Sequence, residues 1–280
     1  SSPAVADGVV YVGSYDNRVY AFGNVVRAED YLTIQEAINA ATPGATIIIS
    51  PGAYRESLFI DKTLTILGQK GSGTEFIGGG YGTAFTYSGP GASGSILAQV
   101  VITNYAQGIL IDNSAQCKIY DNIMYSMGDS GIILKGSNAA NNQIYSNIFQ
   151  NTNIAINVTQ SSTSNTIHSN TISLNNIGLY LKSGGNTIHS NSISQNQVGI
   201  KMSYSSGNFI YWNNFINNIQ VNIETYGYAN VWDDGYPSGG NYWGDYKNKY
   251  PSAKEFGDSG IWDTPYVVDD YNVDNYPLMY

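Results

Sequence analysis

Charged residues are scarce in this sequence of 280 residues. Asp, Glu, Lys and Arg together make up 12%, about half the usual share, and the acids outnumber the bases by 21 to 12. Nucleic-acid binding requires clustered Lys and Arg, and because the few bases here are scattered, we exclude DNA and RNA as partners. No apolar run approaches the ~20 residues needed to cross a bilayer, so we expect no membrane span in this chain.

Cysteine is nearly absent as well. The single Cys117 cannot pair within the chain, so it is either an inert thiol, the interpretation we favour, or an intermolecular link. Few lysines beside many Asn, Thr, Ser and Tyr suit an extracellular or cell-surface location. The sequence contains one glycosylation sequon, Asn157-Val158-Thr159, which makes Asn157 the candidate for glycosylation.

Asparagine is abundant instead, with 31 residues, and it recurs at regular steps. The aligned positions are Asn122, Asn147, Asn170, Asn191 and Asn213, at steps of 25, 23, 21 and 22 residues. The best-kept unit, at residues 165 to 181, reads N-x-I-x-x-N-x-I-x-x-N-x-x-G-[IL]-x-[LM]. A helical repeat would show 3.6-residue periodicity over about ten residues or more, whereas these apolar positions lie in short out-in-out stretches. The repeat therefore predicts short strands separated by frequent corners.

Such strands fit together as stacked coils. Neighbouring strands lie ~4.8 Å apart, so each corner residue lies over its equivalent in the next coil. Asn and Gly suit the corners because both tolerate left-handed backbone angles and Asn can bond to nearby backbone. The sequence therefore predicts an all-β parallel β-helix of about eight or nine coils, with three short strands per coil and Asn ladders.

The same register places the only histidines. NTIHSN occurs twice, 21 residues apart, and in each copy the Ile points inward, so the following His points outward. The complete outward column is Tyr120, Tyr145, His168, His189 and Tyr211. We interpret it as a structural ladder of stacked rings, and two alternatives stay open: a platform for sugar rings or another subunit, and a metal site.

The chain divides into three predicted segments. Residues 1–23 form a β-hairpin with strands at Gly8–Gly13 and Arg18–Phe22, joined around Tyr15-Asp16-Asn17. Residues 24–229 hold a capping helix and the coils, since Thr33 and Glu36 form a capping box before apolar positions at helical spacing. Residues 230–280 form an aromatic and acidic cap, whose rings we expect to plug the open end of the β-helix.

Two stretches carry a resemblance to known families. The passage TIQEAINAA through GATIIISPGAYRESLFIDKTLTILGQ resembles the start of right-handed, pectin-lyase-like β-helix proteins. The Asn-rich coils and the ending GGNYWGDY…GDSGIWDTPYVVDDYNVDNYPLMY resemble the subgroup with carbohydrate-binding and sugar-hydrolase domains, periplasmic copper-maturation proteins and archaeal surface proteins. Residues 1–23 resemble part of a pyrroloquinoline-quinone-type propeller blade.

The resemblance implies two metals. Relatives with this ending often carry an Asp-rich stretch suited to calcium, which implies a calcium site at Asp245, Asp258 and Asp263, with a solvated acidic cap as the alternative. Copper is the second implied metal, but the two histidines on the outer wall and the sparse methionines make a weak copper site. Calcium is therefore the one cofactor that the sequence suggests.

The positions of Asp and Glu indicate whether the protein could cleave polysaccharides. Polysaccharide hydrolases need two acids beside the scissile bond, and lyases need a base with charge neutralisation. From Gly131 to Asn222 the sequence has no Asp or Glu, so we predict that the protein is not an enzyme.

We predict a non-catalytic, extracellular or cell-surface structural protein that assembles with copies of itself through the β-helix ends or the N-terminal hairpin. The first alternative is carbohydrate binding without cleavage, with cell-surface glycans as partners. The second is a polysaccharide lyase or hydrolase, which rests on likeness of fold alone.

Overall fold

The computed structural model describes residues 4–6, 9–13, 19–69 and 73–280, and it winds most of them into stacked coils. Each full coil contributes one short strand to each of three parallel sheets, which contain nine, nine and eight strands. The predicted all-β parallel β-helix with three strands per coil is confirmed.

The sheets are numbered here in the order in which a coil visits them. The first contains Val25–Arg27, Thr46–Ile48, Thr65–Leu67, Ile96–Ala98, Lys118–Tyr120, Gln143–Tyr145, Thr166–His168, Thr187–His189 and Phe209–Tyr211. The second contains Gly52–Tyr54, Thr74–Ile77, Val101–Thr103, Ile123–Tyr125, Ile148–Gln150, Thr171–Ser173, Ser192–Ser194, Asn214–Ile216 and Tyr242–Trp243. The third contains Leu58–Ile60, Thr83–Ser88, Gln107–Asp112, Ser130–Lys135, Ile154–Val158, Ile177–Leu181, Val198–Ser203 and Ile219–Thr225. The second sheet thus continues past residue 229, where the sequence placed the end of the coils.

The remaining elements flank the coils. Antiparallel strands are Ala4–Ala6, Val9–Gly13 and Val19–Phe22 near the start, and Tyr266–Asp269 with Asn272–Asp274 near the end. The α-helices are Ile34–Ala40 and Tyr246–Lys249, and the 3-10 helices are Ala28–Asp30 and Pro90–Ala92. Val9–Gly13 and Val19–Phe22 lie within the two predicted hairpin strands, and Ala4–Ala6 adds a third strand. The predicted turn at residues 15 to 17 lies outside the described residues. No helix in the described part of the chain has the length and apolar character needed to cross a membrane.

The interior follows from the repeat. The central residue of each short strand points inward, as Ile144, Ile167 and Ile188 do in consecutive strands of the first sheet, where all are fully buried. Because the side-chain period of a strand is two, the residues on either side of each Ile must face outward. The alternation therefore fixes both the core and the outer wall.

Ladders of asparagine fill the corners. The Asn170 backbone N–H and the Asn170 Nδ2 both donate to Oδ1 of Asn191, at 3.0 Å each, and Nδ2 also donates to the Ile144 carbonyl at 2.9 Å. The Oδ1 of Asn170 in turn accepts from the backbone N–H of Asn147 at 3.0 Å. Hydrogen bonds to every donor and acceptor of the buried amide offset its desolvation, so no polar atom of the rung is left unsatisfied.

Three such ladders run along the rod, one at each corner. The members are Asn122, Asn147, Asn170, Asn191, Asn213 and Asn241 in the first; Asn142, Asn165, Asn186, Asn208 and Asn230 in the second; and Thr152, Asn175, Asn196 and Asn217 in the third. The five asparagines aligned in the sequence are thus consecutive rungs of one ladder, and that ladder extends one coil further than the sequence indicated.

The left-handed backbone at these corners belongs to the residue before the asparagine. Ser146, Ser169 and Ser190 have φ values of 55°, 55° and 56°, and each directly precedes a rung. The expectation that the ladder asparagines themselves take the left-handed angle is therefore wrong. A rung in extended backbone can aim its amide along the rod, while its neighbour makes the turn.

Leu174 is one of these left-handed residues, with φ of 60° and a side chain that is 49% exposed. A Cβ in this region costs about 1 kcal/mol, and glycine avoids that cost. We expect Leu174→Gly to raise the unfolding free energy by about 1 kcal/mol relative to Leu174→Ala, which keeps the Cβ. Denaturant unfolding of both variants measures this, and equal stabilities would contradict it.

The amino-terminal end of the rod is covered by the helix Ile34–Ala40. Thr33 caps it by accepting from the Glu36 N–H at 3.1 Å, as predicted. The side-chain amide of Gln35 forms the two hydrogen bonds that a neighbouring strand would otherwise form with Phe59. It accepts from the Phe59 N–H at 2.8 Å and donates to the Phe59 carbonyl at 3.1 Å. These bonds occupy edge groups of the third sheet that another chain would otherwise pair with.

Aromatic side chains close the carboxyl end. Trp243 stacks on Phe215 at 4.8 Å between ring centroids and on Tyr266 at 4.0 Å. Trp232 and Trp243 are buried, so the prediction that tail aromatics plug this end is confirmed.

Candidate functional site

The outward column of the first sheet is a continuous stack of rings. Tyr120, Tyr145, His168, His189 and Tyr211 occupy equivalent positions in successive strands. Their ring centroids are 5.0, 5.0, 5.0 and 5.4 Å apart, and neighbouring planes differ by no more than 10°. The predicted ladder of stacked rings is confirmed, while its use as a platform stays a prediction.

Stacking leaves little of each ring free. Both faces of the three inner rings lie against neighbouring rings, so these residues offer a ligand only their edges. The two imidazole Nδ1 atoms lie 3.2 and 3.1 Å from the hydroxyls of Ser169 and Ser190, which fixes the ring orientation. A sugar that packs on an aromatic face therefore has little to contact on the inner part of this stack.

The histidine pair gives the protein a pH-dependent stability. Burial lowers the pKa of both His168 and His189 below the usual 6.5, and each imidazolium would further oppose its neighbour. The folded state thus holds fewer protons than the unfolded state in this pH range. The contribution of the two histidines to the free energy of unfolding is fully present above about pH 6.5 and decreases as the pH falls below that value.

We expect the melting temperature of the wild type to fall between pH 7.5 and pH 5.5 relative to the double variant His168→Tyr, His189→Tyr. Tyrosine continues the existing column and does not titrate in this range. Calorimetry at both pH values tests this, and parallel changes in the two proteins would contradict it.

The three acids of the implied calcium site are engaged separately. Asp245 accepts from the Tyr266 hydroxyl at 3.0 Å, and Asp263 accepts from the Lys254 N–H at 3.0 Å and from the Thr264 hydroxyl at 2.9 Å. Asp258 lies on the exposed turn before Gly260. Across the described residues, no three or more His, Cys, Asp or Glu side chains group so as to hold a metal ion.

Calcium binding therefore stays a prediction, with a direct test. If calcium binds at this end, adding it raises the melting temperature, and Asp258→Ala removes the shift. Unchanged melting with calcium and with a chelator would exclude the site.

Asn157 is not available for glycosylation in the folded chain. It lies inside the strand Ile154–Val158 and is buried, and its Oδ1 accepts no hydrogen bond. The sequon showed the residue type but not its burial, so this candidate site is corrected.

One cavity lies on the outer wall of the coils near their amino-terminal half. This cavity of about 350 Å³ lies at the corner between the first and second sheets, and Asp121 is the single acid among the described residues that line it. Glycoside hydrolysis uses two carboxyl groups on either side of the bond. The described lining of this cavity therefore presents one carboxyl group.

A second aromatic surface lies at the carboxyl end of the third sheet, and sequence reasoning missed it. It consists of Tyr204, Tyr226, Tyr228 and Tyr271, named here the tyrosine strip. Successive ring centroids are 5.3, 5.8 and 5.2 Å apart. Tyr204 and Tyr226 are 22 residues apart, one repeat step, which was the available signal, but their exposure and the approach of Tyr271 depend on the folded cap.

The sequence matches the profile of the family described as periplasmic copper-binding protein (NosD) over residues 38–248. No curated protein is similar enough in sequence to count as a match. Among solved structures, XylC in complex with xylose is 12% identical with a TM-score of 0.53, and the alignment covers 76% of this chain and 65% of that one. The tailspike protein gp49 of Acinetobacter baumannii bacteriophage Fri1, a capsular polysaccharide depolymerase, is 10% identical with a TM-score of 0.51, covering 81% and 61%.

These likenesses show the fold, a right-handed parallel β-helix of the pectin-lyase-like type. This chain spans about two thirds of the length of these two structures. The resemblance of residues 1–23 to a propeller repeat stays a prediction.

The residues present do not fit copper. The planes of the two imidazole rings differ by only 3°, so their in-plane lone pairs run parallel and cannot converge on one ion. Cys117 is buried, and burial raises the pKa of its thiol to about 11, which disfavours the thiolate that binds copper. Met124, Met127 and Met202 are buried in the core, and Met279 is half-buried. The described residues therefore offer no copper site of their own.

Proposed function

The chain belongs to the NosD family, and on that premise we propose that it acts in the periplasm or at the cell surface as a non-catalytic structural protein that associates with copies of itself. The family description supports a location outside the cytoplasm. The absence of acids from Gly131 to Asn222 supports a role without sugar cleavage.

The pairing of the N-terminal strands carries the proposal of self-association. Within the described residues, Ala4–Ala6, Val9–Gly13 and Val19–Phe22 pair only with one another. The sequence of Val9–Gly13, VVYVG, is a continuous apolar and aromatic run with no charged residue. Such a run is typical of a strand that is covered on both sides, and a second copy of the chain can supply one layer of that cover.

The ends of the rod are less suited to the contact. The helix Ile34–Ala40 covers one end and the aromatic cap covers the other, so coaxial stacking would have to displace them. We therefore assign assembly to the N-terminal sheet rather than to the β-helix ends.

Sedimentation velocity and electron microscopy test the assignment. The full chain should form oligomers, and deletion of residues 1–22 should leave monomers whose circular dichroism spectrum still shows a folded β-sheet protein. The double variant Val10→Asn, Val12→Asn, which keeps the chain length, should weaken association in the same way. A monomeric full chain, or equal assembly of all three proteins, would refute it.

Carbohydrate binding without cleavage is a second candidate function. The exposed tyrosines of the carboxyl end favour it, because aromatic faces open to solvent are suited to sugar rings. A glycan array tests binding, and assays for reducing ends and unsaturated products test cleavage.

A further inference from the structure

The tyrosine strip is an unusually exposed aromatic surface. Tyr204, Tyr226, Tyr228 and Tyr271 are 58%, 57%, 46% and 67% exposed, although each ring contacts the next. A contiguous exposed apolar patch on a soluble protein commonly marks a binding surface. The strip therefore needs an explanation other than packing.

The backbone beneath the strip points the same way. Tyr204 and Tyr226 have φ values of 52° and 48°, in the left-handed region that bulky residues avoid. At the corresponding corner of earlier coils, which follows the third-sheet strand, the positive-φ residues are Gly89, Asn113 and Gly136. Tyr at these two corners carries more backbone strain than Gly or Asn would, and both rings nevertheless stay exposed.

A cavity of about 530 Å³ opens beside the strip. Tyr226, Tyr228 and Tyr271 line it together with the acids Glu224, Asp269 and Asp270. Asp269 accepts from the Tyr271 N–H at 2.8 Å, so one acid also fixes the loop that carries the outermost ring. The cavity thus combines aromatic surface with carboxylate acceptors in one place.

Aromatic rings beside carboxylates favour neutral sugars over acidic ones. A sugar ring has an apolar C–H face that packs on an aromatic ring, and its hydroxyl groups donate hydrogen bonds to carboxylates. Glu224 forms an ion pair with Lys201 at 2.8 Å, so a uronic acid would bring its own carboxylate mainly toward Asp269 and Asp270, and like charges repel. The formal net charge of -9 adds to that repulsion.

We propose that the tyrosine strip is a binding site for an uncharged glycan. Its sugars pack on the exposed parts of rings that meet edge to face on both sides of Tyr228, and Glu224, Asp269 and Asp270 accept hydrogen bonds from its hydroxyls. The proposal rests on the second candidate function, carbohydrate binding without cleavage, and gives it a site and a ligand class. The series of four rings suits an oligosaccharide better than a single sugar.

Isothermal titration calorimetry of the full chain tests the site. The probes are neutral hexasaccharides of xylose, mannose and glucose, hexagalacturonate as the acidic probe, and tetramethylammonium as a cation suited to aromatic rings and acids. Tyr226→Gly removes a ring and fits the left-handed backbone, so it preserves the fold. Tyr81→Ala removes a ring that is 79% exposed elsewhere and serves as the matched control.

We expect at least one neutral hexasaccharide to bind, at least tenfold more weakly to Tyr226→Gly and unchanged to Tyr81→Ala, with no binding of hexagalacturonate. Equal binding of the neutral probe by both variants would overturn the site, and preference for hexagalacturonate or tetramethylammonium would overturn the ligand class. If a broad glycan array shows no binding to the full chain, carbohydrate binding itself is overturned.

Discussion

Asn175→Ala should lower the free energy of unfolding by about 3 kcal/mol, because it empties a rung of the third ladder. The Asn175 Oδ1 accepts from the backbone N–H of Thr152 at 3.0 Å and from its hydroxyl at 2.8 Å. Its Nδ2 donates to Oδ1 of Asn196 at 2.9 Å. The site is buried, so after the substitution the backbone N–H and the hydroxyl of Thr152 have neither the Asn175 acceptor nor water as a hydrogen-bond partner.

The next residue provides the control. Asn176 is exposed, and its Nδ2 donates to Oδ1 of Asn153 at 3.0 Å on the surface. We expect Asn176→Ala to change stability by no more than about 0.5 kcal/mol. Denaturant unfolding of the two variants compares the same side chain at adjacent positions, and similar losses would mean that the ladder does not carry the stability assigned to it.

Asp274→Ala should be at least as damaging, with an expected loss of about 4 kcal/mol. The buried carboxylate accepts from the Asn241 N–H at 2.7 Å, from Trp243 Nε1 at 2.8 Å and from the Tyr276 N–H at 3.1 Å. Its removal leaves three donors without an acceptor at the carboxyl end of the core. Asp270→Ala, which changes an exposed acid, should be nearly neutral.

The pH dependence of Asp274 runs opposite to that of the histidines. Burial outweighs the three donors and raises the pKa of Asp274 from 3.8 to about 7. The folded state therefore binds this proton more tightly than the unfolded state, and the associated stability is lost as the pH rises toward 7. We expect the stability difference between the wild type and Asp274→Asn to be larger at pH 5 than at pH 8. A constant difference would contradict the raised pKa.

The fold could be predicted from the sequence because each repeat unit contains the pattern that determines its own strands and corners. The alternation around Ile167 and Ile188 defines inside and outside, and the spacing of Asn170 and Asn191 defines the stacking. The ring stack followed from the same register, since His168 and His189 each come directly after an inward Ile. Periodic features of this kind require no knowledge of the tertiary structure.

The carboxyl end was harder to predict because its contacts join residues far apart in sequence. Tyr228 meets Tyr271 only when the final hairpin folds back, and Asn241 meets Asp274 across 33 residues. The resemblance of this acidic ending to calcium-binding relatives implied a calcium site. In the structure, Asp245 and Asp263 accept hydrogen bonds from the protein itself. Composition alone cannot separate a metal ligand from such an acceptor.

The ladders also explain why acids collect at that end. Each asparagine rung directs its backbone N–H and one Nδ2 hydrogen toward the following rung, so the last rungs need acceptors that are not themselves rungs. Asn241 donates to Asp274 at 2.7 Å in the first ladder, and Asn272, which accepts from Asn230 in the second, donates to Asp269 at 2.9 Å. In the third, Gln220 accepts from Asn217 and donates to Asp245 at 3.4 Å. Each series of amides therefore ends on a carboxylate.

Because the ladders have this one-way polarity, the rod can be lengthened by inserting coils between existing coils but not by adding coils after the carboxyl-terminal cap. A whole coil inserted between two existing ones meets a donor on one side and an acceptor on the other, and it adds ~4.8 Å. A coil added beyond the terminal carboxyl groups meets oxygens that already accept hydrogen bonds from the last amides and that cannot replace the N–H donors of a rung. The number of internal coils therefore sets the distance along the rod between the capping helix and the tyrosine strip, while both ends keep their chemistry.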